Sequence, residues 1–225
     1  SVKGLGYEAR PMDTLAQRRL LVEREKARLE EARRRLLHSA LLTAPVMAAS
    51  TPTDTVKDAI NQVIAELKGH SLEREQRWAS IGRIINDRFD FRSMSQSVLE
   101  TNWQDATTEE KRQFVEYFSQ YLEDTYRTKI ESYSDQRVEY IAEQVRKDRA
   151  TVDTAVVTSD KRIPITYRLK STKGEWVAYD VVIEGVSLVN NYRSTFSAIV
   201  KAGGMDGLLT DLEGRISDYK AKHGG

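Results

Sequence analysis

Three histidines and no cysteine are all that the chain offers for imidazole or thiolate chemistry. Without cysteine there is no disulfide framework, no thiolate zinc site and no cysteine nucleophile. His38, His70 and His223 each stand without a second histidine or a carboxylate at ligand spacing, so no metal and no other cofactor is expected. A Gly-x-Ser-x-Gly elbow is absent, and Gly203-Gly204 lacks the preceding strand and the following lysine of a phosphate loop. Acidic residues are spread as on a solvated surface, with two exceptions, Asp180 and Glu184. Asp180 interrupts an apolar run of Trp176, Val177, Ala178, Tyr179, Val181, Val182 and Ile183. A carboxylate in such a place needs donors or a raised pKa. One reading makes it a general base in a pocket. The other makes it an acceptor of backbone or arginine hydrogen bonds that fixes the edge of a sheet. With no second acid, histidine or oxyanion donor beside it, the structural reading is favoured and no enzymatic activity is expected.

The elements that would hold Asp180 follow from periodicity. Ile163, Ile165, Tyr167 and Leu169 alternate strictly with polar neighbours, which predicts a strand with one buried face. Lys173-Gly174 then turns into the strand Trp176 to Ile183, and Glu184-Gly185 ends it. Upstream, Val138, Tyr140 and Ala142, and then Thr154 to Thr158, predict two more strands, so four strands form an antiparallel meander. Helices precede it. Val56, Ile60, Val63, Ile64 and Leu67 share one stripe; Trp78, Ile81, Ile84, Ile85 and Phe89 mark a second helix; Phe91 to Trp103 suggests a short third. Thr107 and Glu110 form a capping box for a fourth, whose buried stripe is Phe114, Phe118, Tyr121, Leu122, Tyr126 and Ile130. Two more close the chain, Val186 to Val200 and Met205 to Tyr219, separated by Gly203-Gly204. The order predicts an α+β fold, a twisted sheet of four strands wrapped by about six helices.

Residues 1–49 differ from the rest. They hold 10 of the 35 basic and 6 of the 34 acidic residues, leaving 25 basic against 28 acidic, a net charge of −3, in 50–225. A mildly acidic body without a basic stripe argues against nucleic acid as a partner. Arg33-Arg34-Arg35 leads into an apolar run from Leu36 that ends in small residues, with Val46 and Ala48 suited to positions −3 and −1 of a cleavage site. That run is shorter than the roughly 20 residues a bilayer span requires. Residues 1–49 are therefore expected to be a signal peptide with an anomalous N-terminal extension, and 50–225 the exported domain. The alternative is a charged amphipathic helix that stays attached.

The stretch Trp176 to Val189, with its Tyr179-Asp180 and Glu184-Gly185-Val186-Ser187 elements, resembles the signature of the MlaC family, the toluene-tolerance auxiliary proteins. An aromatic follows at Tyr192 or Phe196, then Gly204-Met205-Asp206-Gly207-Leu208, similar to the family's Gly-x-Asp-Gly-Leu. Phe89-Asp90-Phe91, Trp103, Phe114, Phe118, Leu122 and Tyr126 match its helical half, so the resemblance covers residues 54–220. It implies a monomeric periplasmic carrier that shuttles phospholipid and maintains outer-membrane asymmetry. The partners implied are an outer-membrane lipoprotein–porin complex and an inner-membrane ABC transporter bearing a ring of MCE domains. The implied fold is nuclear-transport-factor-like, with acyl chains in an apolar cavity between sheet and helices.

For such a cavity the candidate wall is the stripe Phe114, Phe118, Tyr121, Leu122 and Tyr126, facing Tyr179, Val181 and Ile183. Phe89, Met94, Val98, Ile165, Val186 and Val189 complete the lipid-binding set. Trp176, Asp180, Glu184, Gly185, Ser187, Gly204 and Gly207 are expected to be structural. Two other readings stay open: an enzyme on a related fold with Asp180 as base, and an interaction module built on residues 13–48.

Overall fold

The structure, a computed structural model, describes residues 50–69, 73–133 and 136–223, with 23, 26, 28 and 30 besides. His38, His70 and the expected cleavage site lie outside the described residues. The chain divides into two compact units, Ser1–Ala48 and Ala49–Gly225, and the second is described here.

Helix α1 spans Pro52–Lys68, with Pro52 in its first turn and Thr51 and Asp54 capping each other's backbone N–H. Helix α2 follows over Arg74–Arg88, α3 over Phe91–Leu99 and α4 over Thr101–Asp105. The third helix expected to reach Trp103 is thus two, broken at Glu100, whose φ of 48° no helix accommodates. Helix α5 spans Thr108–Glu131 behind the predicted capping box of Thr107 and Glu110.

A single antiparallel sheet comes next, β1 Arg137–Arg146, β2 Arg149–Val157, β3 Arg162–Thr172, β4 Glu175–Ile183 and β5 Val186–Ser187, in that spatial order. Five strands replace the four expected. Val186 and Ser187 do not open the last helix; Glu184 and Gly185, at φ 50° and 84°, turn the chain back so that Val186 pairs with Ile183. Positive φ at both central residues is the two-residue hairpin geometry that matches strand twist, and Lys173-Gly174 repeats it at 53° and 87°. Helix α6 runs from Leu188 to His223, interrupted only at Gly204, where φ 69° and ψ −169° suit glycine alone.

Two separate cores result. One is wholly helical: Phe91, Met94, Val98, Leu99 and Trp103 from α3 and α4, Phe114, Phe118 and Leu122 from α5, and Val189, Tyr192, Phe196, Leu208, Leu209 and Leu212 from α6. The other joins Val56 of α1 to Ala150, Val152 and Leu169 of the sheet, with Ile60, Tyr140, Tyr167 and Trp176 packed around them. The helical half docks on the outer edge of β4. Asp90 donates its N–H to the Ala178 carbonyl at 2.8 Å, beside the stretch of edge that β5 covers. Lys170 of β3 reaches the Asp90 carboxylate at 2.6 Å, tying the cap of α3 to the sheet. Burial opposes ionisation of Asp90, but hydrogen bonds from Lys170 and Ser93 outweigh it and hold the carboxyl below its usual range.

Candidate functional site

Strand register sorts the sheet's side chains into two faces, because opposed residues point the same way and neighbours alternate. Opposite pairs Ala150–Leu169, Val152–Tyr167, Thr154–Ile165 and Val156–Ile163 define the inner face, the one that α1 covers. Val138 and Tyr140 extend it onto β1 through their partners Val156 and Thr154. On β4, Ala178, Val181 and Ile183 oppose Leu169, Tyr167 and Ile165, and Val186 opposes Ile183 on β5. This face is mostly apolar on all five strands, with Glu143, Thr154 and Ser171 among its polar members. Part of it is sealed: Ala150, Val152 and Leu169 under α1 are buried, as are Thr154, Ala178 and Val181, whereas Val138, Tyr140, Val156, Ile163, Ile165, Tyr167 and Ile183 keep intermediate exposure and Val186 is 55% exposed. Half-covered apolar residues side by side on a pleated surface are what a site for an apolar ligand needs.

Tyr179 is not on that face. A register shift between Ala178 and Asp180 makes Tyr179 an extra residue, and its ring lies 4.7 Å from the Arg149 guanidinium. The bulge also turns Asp180 to the outer face, opposite Arg168. There its carboxylate is 3% exposed and fully engaged. Oδ2 accepts from Arg168 Nη1 at 2.9 Å and from Ser187 Oγ at 2.7 Å, and Oδ1 accepts the Val189 N–H at 3.1 Å. Ser187 in turn accepts the Asn190 N–H at 3.1 Å. Asp180 and Ser187 thus satisfy donors at the start of α6, where a negative charge is also favoured by the helix dipole. A base in the apolar cleft would have to point the other way. Glu184 and Gly185 make the β4–β5 turn, Trp176 packs beside the α1–sheet core, Gly204 breaks α6, and Gly207 follows in its next turn.

The aromatic stripe of α5 faces α6, which corrects the expectation that it faces β4. Phe114 stacks on Phe118 at 5.5 Å, and both meet the edge of Phe196, at 5.8 and 5.7 Å. Tyr192 contacts Phe118 at 5.5 Å and Tyr121 at 5.7 Å. Met94, Val98, Leu122 and Val189 are buried in the same cluster, with Phe89, Tyr121 and Tyr126 packed on its rim. Burial pushes the Tyr192 hydroxyl far above its usual pKa, and the nearby Tyr126 and Tyr121 side chains add to that rise. These contacts make a filled core. Of the expected lipid-binding set, then, Ile165, Val181, Ile183 and Val186 share the inner face of the sheet, Tyr179 lies on the outer face, and the other nine belong to the helical core.

Sequence reasoning left out Val138, Tyr140, Val156, Ile163 and Tyr167 as site residues. The alternation from Ile163 to Leu169 carried the signal. Two cavities lie elsewhere: one of about 340 Å³ between α2, α5 and α6, lined mostly by polar and charged residues, and one of about 480 Å³ at the β3–β4 hairpin, where Phe89, Phe91 and Val177 mix with charged residues. Among the described residues no group of three or more His, Cys, Asp or Glu could hold a metal, and no helix is long and apolar enough to cross a membrane.

Comparison with known proteins points to one family. The pattern of the family described as MlaC protein matches residues 57–214. The toluene tolerance protein ttg2D of Pseudomonas putida is 24% identical over 169 residues, 71% of this chain and 78% of the relative. The intermembrane phospholipid transport system binding protein MlaC of Haemophilus influenzae is 22% identical over 188 residues, 79% of this chain and 88% of the relative. A phospholipid-binding protein from Ralstonia solanacearum, solved with a phospholipid bound, superposes with a TM-score of 0.68 at 26% identity, covering 73% of this chain and 96% of that one.

Proposed function

This chain belongs to the MlaC family, and from that premise we propose that it is a phospholipid carrier whose acyl chains lie on the inner face of the sheet. The observation that carries the reading is the row of half-exposed residues Val138, Val156, Ile163, Ile165 and Ile183, cross-strand neighbours that α1 leaves partly uncovered. The solved relative, which holds a phospholipid, supports the ligand class.

The energetics suit a shuttle. A diacyl lipid carries about 30 methylenes at about 0.8 kcal/mol each, so it cannot cross water uncovered. The bilayer offers the same term, and the carrier need only equal it. Transfer in and out is then nearly balanced, and direction is set by partners. We place the protein in the periplasm, exported by residues 1–49 and acting as a monomer. It shuttles lipid between an outer-membrane lipoprotein–porin complex and an inner-membrane ABC transporter with an MCE ring, maintaining outer-membrane asymmetry. Asp180 has no place in that cycle beyond fastening α6 to β4.

Native mass spectrometry of the domain purified from cells without detergent tests the proposal. The expected spectrum shows a bound species of phospholipid mass released on collisional activation. A lipid-free protein that also takes none from phospholipid vesicles overturns it.

A further inference from the structure

Two tyrosines stand among the apolar residues of the sheet's inner face, and no described residue takes up their hydroxyls; Glu143, also on this face, accepts the Thr53 N–H at 2.7 Å at the start of α1. Tyr167 stands between Val152 and Val181, its opposed neighbours on β2 and β4. Tyr140, on β1, opposes Thr154 on the same face and packs, like Tyr167, around the α1–sheet core. Neither hydroxyl has a hydrogen-bond partner among the described residues. Nor is either fully sealed: among the described residues the sealed, partnerless side-chain polar atoms are Ser95 Oγ, Asp124 Oδ2 and Tyr219 OH. Thr154, the hydroxyl between them on β2, is already spent, donating to the Ile165 carbonyl at 3.0 Å. Water can reach a hydroxyl here while the face is empty, but acyl chains laid over it would take that partner away, and covering the donor without an acceptor costs stability.

We propose that Tyr167, assisted by Tyr140, donates a hydrogen bond to an oxygen of the glycerophosphate portion of the bound lipid, fixing how deep the acyl chains enter. This rests on the carrier reading above and goes beyond it by naming the polar contact. The acceptor is an ester carbonyl or a phosphate oxygen; alkyl chains offer none. The lipid therefore settles with its glycerol region against Tyr167 and its chains along Ile163, Ile165 and Ile183. Burial pushes the Tyr167 hydroxyl up to about 12, so the donor stays protonated throughout the physiological range and the contact is insensitive to pH between 6 and 9.

The test compares Tyr167→Phe/Tyr140→Phe with the unaltered protein. Both are given a diester phosphatidylethanolamine and its diether analogue of equal chain length, which lacks the carbonyls. Phenylalanine keeps the ring, and a matched thermal melt establishes that the fold is kept. If the ester is the acceptor, the unaltered protein holds the diester about three- to tenfold more tightly and the double variant loses that preference. If phosphate is the acceptor, the unaltered protein holds both equally and the variant holds both about three- to tenfold more weakly. Retention by the variant equal to that of the unaltered protein for both lipids overturns the inference. Failure of the unaltered protein to hold either lipid overturns the carrier reading instead.

Discussion

Replacing Ile165 by glutamate is expected to empty the protein of lipid while leaving it folded. Ile165 sits at the middle of the inner face, opposed to Thr154 on β2 and to Ile183 on β4. It keeps intermediate exposure, so a longer polar side chain can turn its head to water in the empty protein. With lipid in place the carboxylate is pressed against methylenes. Burying an unpaired charge costs several kcal/mol, and about 3 kcal/mol already lowers retention on the order of a hundredfold. The lipid-to-protein ratio by native mass spectrometry should fall to background, with a melting temperature within a few degrees of the parent. Ile141→Glu is the control. Ile141 is 52% exposed at the register shift in β1, and this change should leave lipid untouched.

Phe118→Ala should do the reverse. Phe118 has no exposed surface and meets Phe114, Tyr192 and Phe196 at 5.5 to 5.7 Å. Truncating a fully buried phenylalanine removes its transfer energy and leaves a cavity, for about 3 to 5 kcal/mol. Urea unfolding followed by circular dichroism should show that loss, while each molecule that remains folded carries as much lipid as before. Lipid lost without a change in stability would put the α5 stripe in the cleft wall and contradict the assignment of the site to the sheet.

How much of this the sequence foretold depends on the range of the interaction involved. The start of α5 is written in four residues, Thr107 to Glu110, and the structure holds both halves of that capping box. The β3–β4 turn is equally local: Lys173-Gly174 specifies it by backbone conformation. β5 is different. Val186 and Ser187 carry no strand signal of their own, and they pair because the Glu184-Gly185 turn brings them onto Ile183 and Val182. What the α5 stripe packs against was hidden for the same reason. Amphipathicity says that Phe114, Phe118 and Leu122 are buried but not against what, and only the packing of α6 answers that. Alternation assigns Tyr179 to the face of Val181 and Ile183, until the bulge beside Asp180 adds one residue and sends it to the other side. Asp180 was legible as structural because an apolar strand with one carboxylate must supply donors; that they come from Arg168, Ser187 and the α6 backbone was not.

The central claim is that acyl chains rest on the inner face of the sheet and not within the helical core. A phosphatidylcholine bearing a diazirine midway along one acyl chain, loaded from vesicles and photolysed, reads this directly once peptides are mapped by mass spectrometry. Adducts are expected on β2 to β4, at Val156, Ile163, Ile165, Val181 or Ile183. Adducts concentrated on Phe114, Phe118 or Phe196 would contradict the account.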